Sequence, residues 1–255
     1  MTSEQPWQAV RRIRTHEQVL AQIQQRILGG SLRVGDRLPS EREFTELLGV
    51  SRVSVREALR VLEAMGIVDA NVGSGRDAGS VVAGRSTEAL SNLLRLHMSL
   101  ARFRLTDLVE TRIQLEHASA HRAATSASAA DIAHLRSLID AMTQDDIDHD
   151  EFHDLDAEFH ISIARASGNA LTADLMQALR DAVKQEMQAA FARMQDWHSV
   201  VRQLAGEHRE ILTAIENGDE HTAAERITKH IKDFYETATE LGTFTDQLPQ
   251  GPGAN

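Results

Sequence analysis

The placement of proline constrains this chain more than any other feature. The four prolines are Pro6, Pro39, Pro249 and Pro252, so residues 40–248 contain none. Proline lacks a backbone N–H and clashes with the preceding helical turn, so its absence leaves that whole run open to long helices. Aromatic residues make up only 4% of the chain, which also argues for helix over sheet. At 255 residues the chain exceeds the usual size of one compact core, and two domains are expected. The absence of cysteine excludes disulfides, thiolate metal sites and a cysteine nucleophile, and it fits a reducing, cytoplasmic setting. No apolar stretch approaches the roughly 20 residues of a membrane helix. The opening MTSEQPWQAVRRIR lacks the apolar segment of a signal peptide, so a soluble protein with no membrane partner is expected.

A net charge of -11 argues against a nucleic-acid binder until it is divided along the chain. Residues 1–85 carry 12 Lys/Arg against 10 Asp/Glu, whereas residues 86–255 carry 15 against 28. Only the first part suits a polyanion, unless the asymmetry is accidental. In that part, Thr15 with Gln18 forms a capping-box pattern ahead of the stripe Val19, Leu20, Ile23 and Ile27, closed by Gly29-Gly30. Ser40 with Glu43 repeats the pattern ahead of Phe44, Leu47 and Leu48, up to Gly49. Ser51 opens a third helix with Val55, Leu59, Leu62 and Met65, ending at Gly66. The short turn containing Gly49 makes helices two and three a helix-turn-helix. Ile67–Val72 and Ser80–Ala83 read as two short strands around the turn GSGRDAG, which is a wing. On the third helix Arg52, Ser54 and Arg56 cluster where a recognition helix meets bases and phosphates, and an arginine fork matches guanine O6 and N7. A small helical module with merely solvated arginines is the alternative.

The run LPSEREFTELLGVSRVSVREALRVLEAMGIV, Leu38–Val68, resembles the DNA-binding domain of the GntR family of bacterial transcription regulators. The resemblance implies that Arg42, Ser51, Arg52, Ser54 and Arg56 touch double-stranded DNA and that Gly73 at the wing tip approaches the minor groove. Val53 stands where the family often has threonine, and the wing segment GSGRDAGSVVA is longer than the common version.

Beyond a linker near Ala83–Glu88, helix-start signals recur at Thr87, Thr106, Ser128, Asp150, Asn169, Asp196 and Asp219, with Gly168 and Gly218 as stops. Short connections predict an antiparallel, all-helical bundle. The expected organisation is a winged helix-turn-helix over residues 1–84, a helical effector-binding and dimerisation domain over 85–245, and a disordered tail over 246–255.

Placing residues at about 100° per position compares each polar side chain with the apolar stripe of its helix. His208 falls near the centre of the stripe Val200, Val201, Leu204, Ile211, Leu212 and Ile215, and His230 at the edge of Ala223, Ile227, Ile231, Phe234 and Ala238. Asp156 and His160 flank Phe152, Leu155, Phe159 and Ile163, whereas His117 and His121 lie away from their stripe. One carboxylate and three imidazoles turned inward suit a divalent transition metal with open positions; separate hydrogen-bonded core histidines are the alternative, and His153 competes as a ligand. Arg112 and Glu116 also fall mid-stripe, either as an internal ion pair or as a receptor for a small carboxylate.

The patterns RIQLEHASA, DLDAEFHISIARASGN and EHREILTAIENGDEHTA, with the later His230, resemble the FCD effector domain of FadR-type GntR regulators. The metal motif of that domain matches at Asp156, His160, His208 and His230, with zinc the first choice and nickel or manganese the alternatives. In such proteins the helical domain binds a small organic acid at or near the metal, and Arg112 would anchor its carboxylate. The implied function is that of a metabolite-responsive regulator rather than an enzyme: a homodimer that reads a palindromic operator and represses. A metal-dependent enzyme acting on a small organic acid and an effector-independent DNA binder are the other readings.

Overall fold

The computed structural model describes residues 14–71, 79–84, 87–101 and 104–240, and its internal contacts divide the chain into two units, 1–89 and 90–255. In the first unit, α1 (Thr15–Leu28), α2 (Glu41–Leu48) and α3 (Arg52–Ala64) precede β1 (Val68–Asn71) and β2 (Gly79–Val82). The strands pair antiparallel with Val68 opposite Val82. Helix α1 starts at Thr15 itself: the Glu17 carboxylate accepts the Arg14 N–H at 3.1 Å, so the expected Thr15–Gln18 box is displaced by one residue. The Ser40 box is as expected, with Glu43 Oε2 accepting the Ser40 N–H at 2.8 Å and the Ser40 hydroxyl accepting the Glu43 N–H. Gly49 ends α2 at φ +64°, a left-handed conformation that costs glycine nothing. Val19, Ile23, Phe44, Val55, Leu62 and Val82 close one core. Leu47 and Met65, expected on buried stripes, are exposed: one turn of α2 buries Phe44, and Leu47 points away from it. The loop before α2 also joins the sheet, since the Leu38 N–H donates to Ser80 O and the Val82 N–H to Asp36 O.

Eight helices follow: α4 (Thr87–Ala101), α5 (Leu105–Ser126), α6 (Ala129–Met142), α7 (His149–Ala166), α8 (Ala170–Ala182), α9 (Lys184–Phe191), α10 (Trp197–Glu216) and α11 (Glu220–Glu240). Ser128 and Asn169 cap α6 and α8 as expected, and Gly168 and Gly218 follow α7 and α10 with positive φ. Two starts differ from expectation. Helix α5 begins at Leu105, because Asp107 bonds back to the backbone and guanidinium of Arg104. Helix α7 begins at His149, because Asp148 rather than Asp150 accepts the Glu151 N–H at 2.8 Å. Helix α9 was not expected; it opens after Val183 with no glycine or proline to mark the break. Helix α7 packs against α5, α6, α8 and α9, and α11 lies along α5 and α10. Phe152, Phe159, Phe191 and Ile211 sit in one continuous core that these helices share. No helix among the described residues is long and apolar enough to cross a membrane.

Candidate functional site

Asp156 and His160 are one turn apart on α7, so the helix presents them on one face. His208 on α10 and His230 on α11 meet them there. One ligand atom from each of the four lies within 4.8 Å of the others, and all four residues are buried. His208 Nε2 is 3.3 Å from both His230 Nε2 and Asp156 Oδ1, and His160 Nε2 is 3.6 Å from the same oxygen. Atoms that share one zinc ion, each about 2.0–2.2 Å from it, lie roughly 3–3.5 Å apart.

The remaining ring nitrogens explain why these faces converge. Nδ1 of His160 meets the Glu116 carboxylate, and Nδ1 of His230 meets Glu207 Oε2 at 2.6 Å. A neutral imidazole that donates its N–H at Nδ1 leaves a bare lone pair at Nε2, aimed at the common centre. His160 Nε2 is buried and has no hydrogen-bond partner, which is costly unless a cation answers it. Burial pushes the His208 imidazole down to about 4, so it is a neutral donor near pH 7. Burial alone would raise the Asp156 carboxyl, but the neighbouring Arg180 and His160 outweigh it and hold the group well below its ordinary value. Against the same effect of burial, His160, Arg112 and Arg180 keep Glu116 ionised. The four residues therefore form a group that could hold a divalent metal.

The structure places the other sequence candidates as follows. Arg112 is buried and directs Nε and Nη2 to Glu116 Oε1 at 3.1 and 3.0 Å and Nη1 to the Tyr235 hydroxyl at 2.8 Å, so the internal ion pair is formed. His153 is buried but contacts Asp154 and the Phe191 ring instead of joining the four. His117 and His121 are exposed. Two members of the network escaped sequence reasoning. Glu207 orients His230, and Arg180 on α8 donates from Nη1 to Asp156 Oδ2 at 2.8 Å. Arg180 follows Ala173 and Met176 at seven and four residues, so it lies on the buried stripe of its own helix, and the same angular comparison applied to α8 finds it.

In the first unit, Ser51 caps α3 by accepting the Ser54 N–H at 3.2 Å, and the two hydroxyls are 3.0 Å apart. Arg52 is exposed at the first position of the helix. Arg42 is exposed near Glu46, at 3.6 Å. Arg56 turns its fork onto Glu41 at 3.0 and 2.8 Å and so ties α3 to α2. Val53 is 72% exposed between the candidate DNA contacts. Gly73 lies outside the described residues.

Comparison with known proteins supports both units. Residues 15–76 match the model of the family described as bacterial regulatory proteins, gntR family. Residues 107–233 match the FCD domain. The chain is 31% identical over 221 residues to the Glc operon transcriptional activator of Escherichia coli (strain K12), which covers 85% of each chain. It is 26% identical to the Uxu operon regulator of Haemophilus influenzae over 91% of this chain and 85% of that one. Among solved structures, Streptococcus agalactiae GntR superposes with a TM-score of 0.56 at 22% identity, covering 87% of this chain and 99% of that one, which supports the fold.

Proposed function

This chain belongs to the GntR family of bacterial regulatory proteins and pairs its winged helix-turn-helix with an FCD domain, and from that premise we propose how its regulation works. The protein is a metabolite-responsive, DNA-binding transcription regulator and not an enzyme, as its family and curated relatives are. Two copies bind the halves of a palindromic operator in the cytoplasm and repress the genes beside it, because a two-fold protein dimer matches two-fold DNA. In each copy Arg42, Ser51, Arg52, Ser54 and Arg56 face the duplex, and Gly73 approaches the minor groove. Arg52 at the exposed start of α3 reads base edges, and Arg56, held by Glu41, fixes the angle between α2 and α3.

Asp156, His160, His208 and His230 hold a divalent ion, zinc first, with nickel or manganese as alternatives. The convergence of three Nε2 atoms on one carboxylate oxygen, with two of the opposite nitrogens held by glutamates, carries this reading. When bound, the ion offers open positions to the oxygen atoms of a small organic acid. Glu116 and Glu207 keep the imidazole protons on Nδ1 and the lone pairs turned inward. The acid's carboxylate is received by the buried guanidiniums of the cluster, of which the family resemblance names Arg112. Binding of the acid changes operator affinity to the extent that it favours one arrangement of the winged domains over another.

The test is in vitro selection of operator sequences from random DNA by the full-length protein in moderate salt. Enrichment of an inverted repeat, bound about 1,000-fold more tightly than random DNA, is the expected result. Selection that enriches no repeat overturns the reading.

A further inference from the structure

The buried cluster contains one cation whose binding edge is unused. Two other arginines of the protein turn the Nε and Nη2 edge of the guanidinium onto a carboxylate: Arg112 onto Glu116, and Arg56 onto Glu41. That edge carries two parallel N–H groups and fits the two oxygens of a carboxylate. Arg180 is 5% exposed, and its Nη1 is taken by Asp156. Its Nε and Nη2, both buried, have no hydrogen-bond partner. Glu116 Oε1 stands 3.7 Å from Nη2, beyond hydrogen-bonding range. Buried guanidinium donors without an acceptor are rare because their lost hydration goes uncompensated, and two on one edge mark a place for an anion.

The position of that edge identifies the anion. Asp156 holds Arg180 through Oδ2, and its Oδ1 lies beside His160 and His208, so the vacant edge adjoins the metal-binding group. With a divalent ion present, the buried guanidiniums of Arg112 and Arg180 and the carboxylates of Asp156, Glu116 and Glu207 leave a surplus of one positive charge. A monoanion balances it and a dianion does not.

We propose that Arg180 seats the effector's carboxylate on its Nε and Nη2 edge, and that the site selects small monocarboxylates with an oxygen on the adjacent carbon. Arg112, whose own edge is filled, acts as a positioning residue: it fixes Glu116, which fixes His160. This inference rests on the metal-and-effector reading above.

Calorimetric titration of the zinc-loaded, full-length protein with L-lactate and with its neutral amide L-lactamide tests it. Lactate is expected to bind about tenfold or more tightly than lactamide, and Arg180→Lys, which keeps the charge and loses the fork, weakens lactate by about tenfold or more at unchanged zinc content. Equal lactate affinity in wild type and Arg180→Lys overturns the role of Arg180 and leaves the effector reading intact. A wild-type protein that selects an operator and holds zinc yet ignores lactate overturns the monocarboxylate assignment alone. If the variant loses zinc or fails to fold, the wild-type protein crystallised with zinc and lactate decides. Carboxylate oxygens within hydrogen-bond distance of Arg180 Nε and Nη2 support the proposal, and a carboxylate held only by Arg112 or by the ion contradicts it.

Discussion

The two units use charged residues in opposite ways. In the first, the side chains proposed to touch DNA are exposed, and their ion pairs, such as Arg56 with Glu41, are open to water. In the second, Arg112, Glu116, Asp156, His160, Arg180, His208 and His230 are all buried and bound to one another. Water screens the first set, so each residue acts nearly alone. The second set lies where an unpaired charge is costly, so its members stand or fall together. Deleting single carboxylates should therefore give unequal results in the two units.

The largest effect is expected from Glu116→Ala, which leaves Arg112 and Arg180 buried without their shared carboxylate. Urea unfolding should register a loss of about 3–5 kcal/mol, and a loss under 1 kcal/mol would mean that water reaches the network. Acid probes the same burial. The His208 imidazole titrates at about 4 in the folded protein, against about 6.5 when unfolded. The stability it contributes is complete above the unfolded value and is lost as pH falls from there through about 4. Metal-free protein should lose on the order of 3 kcal/mol across that window from this residue. A flat stability profile over that range would remove His208 from the buried neutral set.

Metal loading comes next. Zinc at a hundred times its dissociation constant should stabilise the wild type by about 2.7 kcal/mol. His230→Ala should lose both that increment and the zinc, and equal zinc retention would remove His230 from the site.

Much of this contrast was legible in the sequence where the determinants are local. Ser40, Ser51, Ser128 and Asn169 act on backbone groups three residues away, so their patterns gave both position and role. Thr106 and Asp150 misled because a nearby Arg104–Asp107 pair and Asp148 captured the helix starts first. Asp156, His160, His208 and His230 were found because each lies on or beside an apolar stripe. Arg180 and Glu207 were missed because their partners come from other helices, 24 and 23 residues away. The same holds for the pairing of Leu38 with Ser80, which no local pattern announces.

Smaller effects are expected in the first unit. Arg52→Ala should weaken binding to the selected operator by about 1–3 kcal/mol with no change in zinc content, and unaltered affinity would show that another face of α3 reads the bases. The smallest effect belongs to Glu41→Ala. Its partner Arg56 is half exposed, so thermal unfolding should detect about 0–1 kcal/mol. A loss as large as that from Glu116→Ala would erase the distinction between the units.

The most direct measurement is anomalous diffraction at the zinc edge from crystals of the zinc-loaded, full-length protein. The predicted result is one strong peak per chain, bounded by Asp156 Oδ1 and the Nε2 atoms of His160, His208 and His230. A peak confined to exposed histidines such as His117 or His121, or none within the helical unit, would contradict the account.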